Sequence, residues 1–174
     1  MGYDSVDVEA CTANKVIVTI TPGTVDRPVA EATIGWMLAL THRVLEKDRL
    51  VRTGRWDERS QYMGCELRDR TLGVIGLGGI GRKLVQLLQG FGMRQPIAFD
   101  PFAPPEVFDE SGVRKVELEE LLSTADFVSL HCPLNEQTRG LIGADQLGLM
   151  QPSAYLLNLA RGGIVDEDAL YDAL

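Results

Sequence analysis

Three glycines give the chain its clearest chemical capacity. Gly76-Leu77-Gly78-Gly79-Ile80-Gly81 reads G-x-G-x-x-G, set between the apolar run Leu72-Gly73-Val74-Ile75 and a stretch with Ile80, Leu84, Leu87, Leu88 and Phe91 on one helical face. A strand before such a loop and a helix after it make an anion cradle, because the first amides of a helix lack intrahelical acceptors and carry the positive end of its dipole. Gly76 permits the tight turn, Gly78 lets the backbone approach a diphosphate, and Gly81 lets helix and strand pack closely. Asp100 closes the next apolar run, Pro96-Ile97-Ala98-Phe99, roughly 20 residues beyond the loop, where an acid accepts hydrogen bonds from an adenosine ribose and repels a 2′-phosphate. The chemistry implied is dinucleotide binding, with NAD favoured over NADP.

The elements that position these residues alternate. After Gly76 the pattern predicts a helix closed by Gly90 and Gly92, a strand at 96–99, and a loop over 101–110 with at most one helical turn. A weak strand at 112–116, a helix at 117–123 and a strand at 127–130 follow. A short helix at 144–150 stops at Pro152, a strand covers 155–159, and a last helix begins at Asp166. Strand and helix in alternation imply a parallel sheet covered on both faces, an α/β doubly wound architecture of the Rossmann type. Upstream, Asp26 and Pro28 open a long helix with the apolar stripe Val29, Ala32, Trp36, Leu40 and Val44, expected to be largely buried. Residues 47–70 read as a surface connection. Val6–Ala13 reads as a short helix and Val16-Ile17-Val18-Thr19-Ile20 as a buried strand; one of each cannot form a core, so residues 1–23 read as the remnant of another domain.

Composition excludes several classes. The chain has 174 residues, 45% hydrophobic and 24% charged, with a net charge of −8. That is a globular composition rather than a disordered, collagenous or coiled-coil one. The acidic balance argues against nucleic-acid and anionic-membrane partners. No apolar run reaches the roughly 20 residues of a membrane span, and no signal peptide or myristoylation pattern opens the chain. Cys11, Cys65 and Cys132 form neither a disulfide framework nor a zinc pattern, which points to a reducing, cytoplasmic setting.

Taken in order, the motifs resemble the NAD-binding domain of the D-isomer-specific 2-hydroxyacid dehydrogenases. Gly2-Tyr3-Asp4-Ser5-Val6-Asp7 is similar to the family's G-x-D-x-[IV]-D segment, and Val29-Ala30-Glu31-Ala32-Thr33 to the start of its long helix. His131-Cys132-Pro133-Leu134 with Thr138 is similar to its H-x-P-L…T stretch. Asn158-Leu159-Ala160-Arg161-Gly162-Gly163-Ile164-Val165-Asp166-Glu167 is similar to its N-x-x-R-G-x-[IV]-[VI]-[DN]-E signature. The resemblance implies an outer substrate domain (residues 1–23 its remnant) and a Rossmann domain over 24–174 that lacks its last strands. It implies cofactor contacts at Gly76, Gly78, Gly79, Ile80, Gly81, Asp100, Cys132, Pro133, Thr138, Leu159, Ala160 and Arg161. It also implies substrate contacts at the backbone of Gly2 and Tyr3, and a catalytic Arg161 whose guanidinium forks two hydrogen bonds onto a carboxylate or carbonyl. The implied reaction is NAD-dependent oxidation of a small D-2-hydroxy acid, or reduction of the 2-oxo acid, in a homodimer. The family's catalytic Glu and His follow the Arg signature, so residues 1–174 read as a fragment that is inactive alone. A non-catalytic dinucleotide-binding or corepressor-like module is the competing implication.

Other reactive residues have plainer readings. His131 reads as structural or cofactor-adjacent, and His42 as a partly exposed helix residue. Cys132 has no base motif beside it and reads as a small packing residue. Asp166, Glu167 and Asp168 read as partners of a helix dipole rather than as metal ligands. Trp36 and Met37 read as core or interface residues.

Overall fold

Leu72–Ile75 shows no polar–apolar alternation because both of its faces are covered. All four residues of this strand, β1, are buried, as parallel strands between two helical layers must be. The computed structural model describes residues 2–3 and 5–174. Within it, β2 (Ile97–Phe99), β3 (Arg114–Lys115), β4 (Phe127–Leu130) and β5 (Tyr155–Asn158) join β1 in an all-parallel sheet of order β3-β2-β1-β4-β5. These are the first five positions of the doubly wound order, and the direction of winding reverses between β1 and β4.

The helices are α1 (Val8–Ala13), α2 (Asp26–Thr41), α3 (Val44–Arg52), α4 (Gly79–Leu88), α5 (Pro105–Ser111), α6 (Leu118–Thr124), α7 (Ala144–Leu149) and α8 (Glu167–Ala173). Helices α2, α4 and α5 cover one face of the sheet, and α6, α7 and α8 the other. Leu72 and Val74 of β1 point into a core with Met37 of α2, Leu84 and Leu88 of α4 and Phe108 of α5. Ile75, with Val128 and Leu130 of β4, faces Leu121 and Leu122 of α6 and the partly buried Leu147 of α7 and Leu170 of α8. Between β4 and β5, Phe127 and Tyr155 are paired in register and stack at 5.2 Å. α8 is capped as its sequence implies: Asp166 Oδ1 accepts from the Ala169 amide at 3.0 Å.

Five expectations are corrected. The long helix does not run through Val44. It stops at Thr41, Arg43 adopts a left-handed φ of 53°, and α3 starts afresh at Val44. The chain returns across this break, with the Cys65 amide donating to Thr41 O at 2.9 Å and Gly64 against His42. Residues 47–70 are therefore partly helical: they hold most of α3 and the 3-10 segment Trp56–Tyr62. The buried face of α2 is Ala30, Thr33, Met37 and Thr41, and Trp36 is 50% exposed. Thr33 and Thr41 escaped an apolar count, yet each hydroxyl donates to the carbonyl four residues back and so enters the core satisfied.

Val16–Ile20 forms no strand, and Ile17 is 87% exposed. β-Branched residues favour extended backbone, but pairing needs a neighbour, and no strand of the described residues lies beside this run. The segment over 101–110 holds α5 rather than a loop, with Pro105 pre-set for its first turn.

Gly73 lies where α6 presses on β1: a Cβ there would meet Leu121 Cδ2 at 2.7 Å and Ala125 Cβ at 2.9 Å. We expect Gly73→Ala to lower unfolding free energy by about 1–3 kcal/mol in urea denaturation. The double variant with Leu121→Ala should lose less than the sum of the single changes.

Candidate functional site

Ligands of open α/β sheets bind where the strand order reverses, and here that point joins the loops after β1 and β4. The approach is close. Gly76, the residue after β1, has φ 93°, and a Cβ on it would stand 2.8 Å from the Cys132 amide and 2.9 Å from His131 C. Gly81 is equally constrained: a Cβ there would meet Gly76 O at 2.5 Å and Val74 Cγ1 at 3.0 Å. Gly78, by contrast, faces open space and is the N-cap of α4, with no side-chain cap. Two glycines allow contact within the protein, and the third leaves backbone open to a ligand.

The loop is tied down by Asp100. Its Oδ2 accepts from the Leu77 amide at 2.8 Å, and its Oδ1 accepts from the amides of Phe102 at 2.9 Å and Ala103 at 3.1 Å. A carboxylate has about four acceptor positions, so these three bonds leave Asp100 capacity for a ribose hydroxyl.

Two cavities flank the glycine loop. One, of about 480 Å³, is walled by Gly76, Gly78, Phe99, Asp100, Phe102, Cys132, Pro133 and Thr138. Its walls are mostly apolar, with Asp100 among them. The other, of about 290 Å³, is walled by Gly2, Asp26, Ile80, Cys132, Pro133, Leu159, Ala160 and Arg161. Thus the structure gathers all the expected site residues except Tyr3 and two loop glycines into these two walls. Gly79 is next to the second cavity through Asp26, Gly81 is packed beneath the loop, and Tyr3 is 55% exposed with its carbonyl accepting from the Val6 amide. Asp4, the acid of the first motif, lies outside the described residues. Thr138 braces the loop after β4, donating to Pro133 O and accepting from the Asn135 amide.

His131 walls both cavities. Its Nε2 is 2.9 Å from Ser129 Oγ, which explains a fully buried serine in β4: residues two apart in a strand share a face. Its Nδ1 is buried without a hydrogen-bond partner. Burial lowers the imidazole to a pKa of about 4, so the ring is neutral at pH 7. Burial also raises the Cys132 thiol, with the Asp100 charge adding to the effect. A thiol held protonated fits packing rather than nucleophilic attack.

Val25 and Asp26 are wall residues outside the quoted motifs, and His131, read as structural or cofactor-adjacent, stands in the walls with them. Asp26 was legible only as a helix opener. Its position beside the loop depends on α2 lying against α4, a contact between distant segments. Among the described residues no group of three His, Cys, Asp or Glu could hold a metal ion, and no helix is long and apolar enough to cross a membrane.

An open glycine cradle at a helix mouth, an acid one strand over and a switch-point cleft define a dinucleotide-binding domain of the doubly wound class. The chain belongs to the D-isomer specific 2-hydroxyacid dehydrogenase NAD-binding domain family, whose model matches residues 34–174. Over its whole length it is 44% identical to a D-3-phosphoglycerate dehydrogenase of Methanocaldococcus jannaschii, covering 33% of that protein, and 38% identical to a glyoxylate reductase of Thermococcus litoralis, covering 54%. A D-lactate dehydrogenase of Aquifex aeolicus solved with NAD and lactic acid matches 99% of the chain with a TM-score of 0.87 at 34% identity, and the chain covers 51% of it. The chain thus spans a third to a half of these relatives.

Folding should carry a pH signature from His131. Its pKa is 6.5 in the unfolded chain and about 4 in the folded one. The unfolded state therefore takes up the proton first, and stability falls as pH drops through that window. The full loss is about 3 kcal/mol below pH 4. We expect His131→Asn to remove this component, read as a smaller difference between urea midpoints at about pH 7 and pH 4.5.

Proposed function

We propose that the chain is the cofactor-binding part of an NAD-dependent oxidoreductase acting on a small D-2-hydroxy acid or its 2-oxo counterpart, with residues 24–174 as the dinucleotide domain and 1–23 as part of an outer substrate domain. The observation that carries this reading is the pair of cavities that share His131, Cys132 and Pro133 as walls, one also lined by Asp100 and the other by Arg161.

NAD fits the residues present. Open space at Gly78 and the unpaired Nδ1 of His131 are both features that a bound dinucleotide would complete. The α4 amides would hold the diphosphate, Asp100 the adenosine ribose, and the apolar walls at Phe99 and Phe102 the base. Nicotinamide, when bound, supplies or accepts the hydride. Arg161 serves as the catalytic cation that holds the acid's carboxylate and polarises its C2 oxygen, and the backbone of Gly2 and Tyr3 meets the same carboxylate. Ile80, Pro133 and Leu159 shield that end from water.

Arg161 in one wall with Gly2 favours an enzyme over a corepressor-like module, for which a substrate-side cation has no use. A homodimer through the α2–α3 surface is supported by Trp36, Leu45 and Val51, which are 50%, 59% and 61% exposed. Three unpaired cysteines support the cytoplasm as its compartment.

Calorimetric titration tests the reading. We expect NADH to bind, NADPH to bind on the order of tenfold more weakly, and Asp100→Ala to weaken NADH binding by about tenfold or more. Absence of NADH binding by the folded chain would overturn it. For the assembly, light scattering should give a dimer mass that Trp36→Glu shifts toward monomer.

A further inference from the structure

One wall residue beside the glycine loop is an acid. Asp26 is the first residue of α2, half-buried, and α2 lies against α4 on one face of the sheet. Their first turns meet at the glycine loop. A Cβ built on Gly79 would run into the Asp26 carboxylate, with Cγ 2.7 Å and Oδ1 3.0 Å away. The carboxylate therefore fills the volume that a side chain at position 79 would need. It also faces both sides of the loop, walling the cavity that holds Arg161 and, beyond Gly79, a polar cavity of about 440 Å³ that contains Arg82. Among the described residues no ion pair engages it.

We propose that Asp26 is a fixed electrostatic opponent of the cofactor's diphosphate, which lowers the affinity of the loop and speeds release. The inference rests on the reading that the loop holds a diphosphate. The first amides of α4 and its dipole attract an anion, and a carboxylate lodged beside them satisfies part of that attraction from within the chain. When the diphosphate arrives, like charges face one another in a partly desolvated cleft, where the interaction exceeds its value in bulk water. Neither effect touches the adenosine end, because Asp26 is absent from the cavity lined by Asp100.

A second role would leave a different mark. As an acid in the first turn of α2, Asp26 also favours that helix's dipole, and a purely structural residue would change melting temperature and nothing else. The test is calorimetric titration of the chain and its Asp26→Asn and Asp26→Ser variants with NADH, ADP-ribose and adenosine, at low and high ionic strength. Thermal melts confirm folding.

The expected result is that both variants bind NADH and ADP-ribose on the order of tenfold more tightly than the parent chain. Adenosine, without a diphosphate, should gain nothing, and the advantage should shrink as salt rises. If the parent binds NADH and the folded variants bind it equally or more weakly, the inference is overturned and the dinucleotide reading stands. A gain in Asp26→Ser alone would place the effect in shape rather than charge, and would also overturn it. If neither parent nor variants bind any of the three ligands, the dinucleotide reading falls and the inference falls with it.

Discussion

The backbone contact between Gly76 and the His131–Cys132 peptide sets the geometry of everything around it. With no side chain at 76, the loop after β1 and the loop after β4 touch main chain to main chain. Any Cβ would drive them apart and open the cleft. Because they touch, His131 and Cys132 become walls of both cavities at once, so the two cavities share one stretch of backbone. The strands fix this contact from below. Gly76 N donates to Phe99 O and His131 N to Ile75 O, which carries the ladder one residue past the end of β1 and of β4.

Two aspartates extend that control along β1. At its entry, Asp126 Oδ2 accepts from the Thr71 amide while its Oδ1 binds Arg70 at 2.8 Å, and that carboxylate raises the Arg70 guanidinium further above its ordinary value. At its exit, Asp100 accepts from the Leu77 amide. Each carboxylate sits on a neighbouring element and takes an amide that the sheet ladder cannot reach. The strand is thus pinned at both ends by charge-assisted hydrogen bonds, which are stronger than neutral ones. Asp100 has a role that needs no ligand. It holds the glycine loop in shape before any ligand arrives, which reduces the ordering cost of binding.

What could be read from the sequence follows from the range of the forces involved. The glycine loop, β1, β2, β4, β5 and the Asp166 cap depend on local backbone needs and unbroken apolar runs, and each stands where the residues placed it. Errors arose where a distant partner decided the outcome. The break at Arg43 has no Gly or Pro to announce it; it depends on residues 64 and 65 crossing the end of α2. Thr33 and Thr41 were invisible to an apolar count because their hydroxyls are satisfied within the helix. The Val16–Ile20 run has a strand's residues without a strand's neighbour. For the candidate site, motif spacing singles out the glycine loop, Asp100 and Arg161, and all three line the two cavities. The place of Asp26 required knowing that two helices separated by the whole of α3 and β1 start side by side.

The N-terminal segment shows that stability and function draw on different residues. Through Thr24 the described chain contributes no buried side chain, and α1 has none. Both cores are built from residues after that point. A segment that adds so little to folding would be free to vary if folding were its only task. Yet Gly2 stands in the wall of the cavity that holds Arg161. What the segment adds is therefore a stretch of cavity wall, while the buried contacts that hold the fold together lie in the sheet and helices after it.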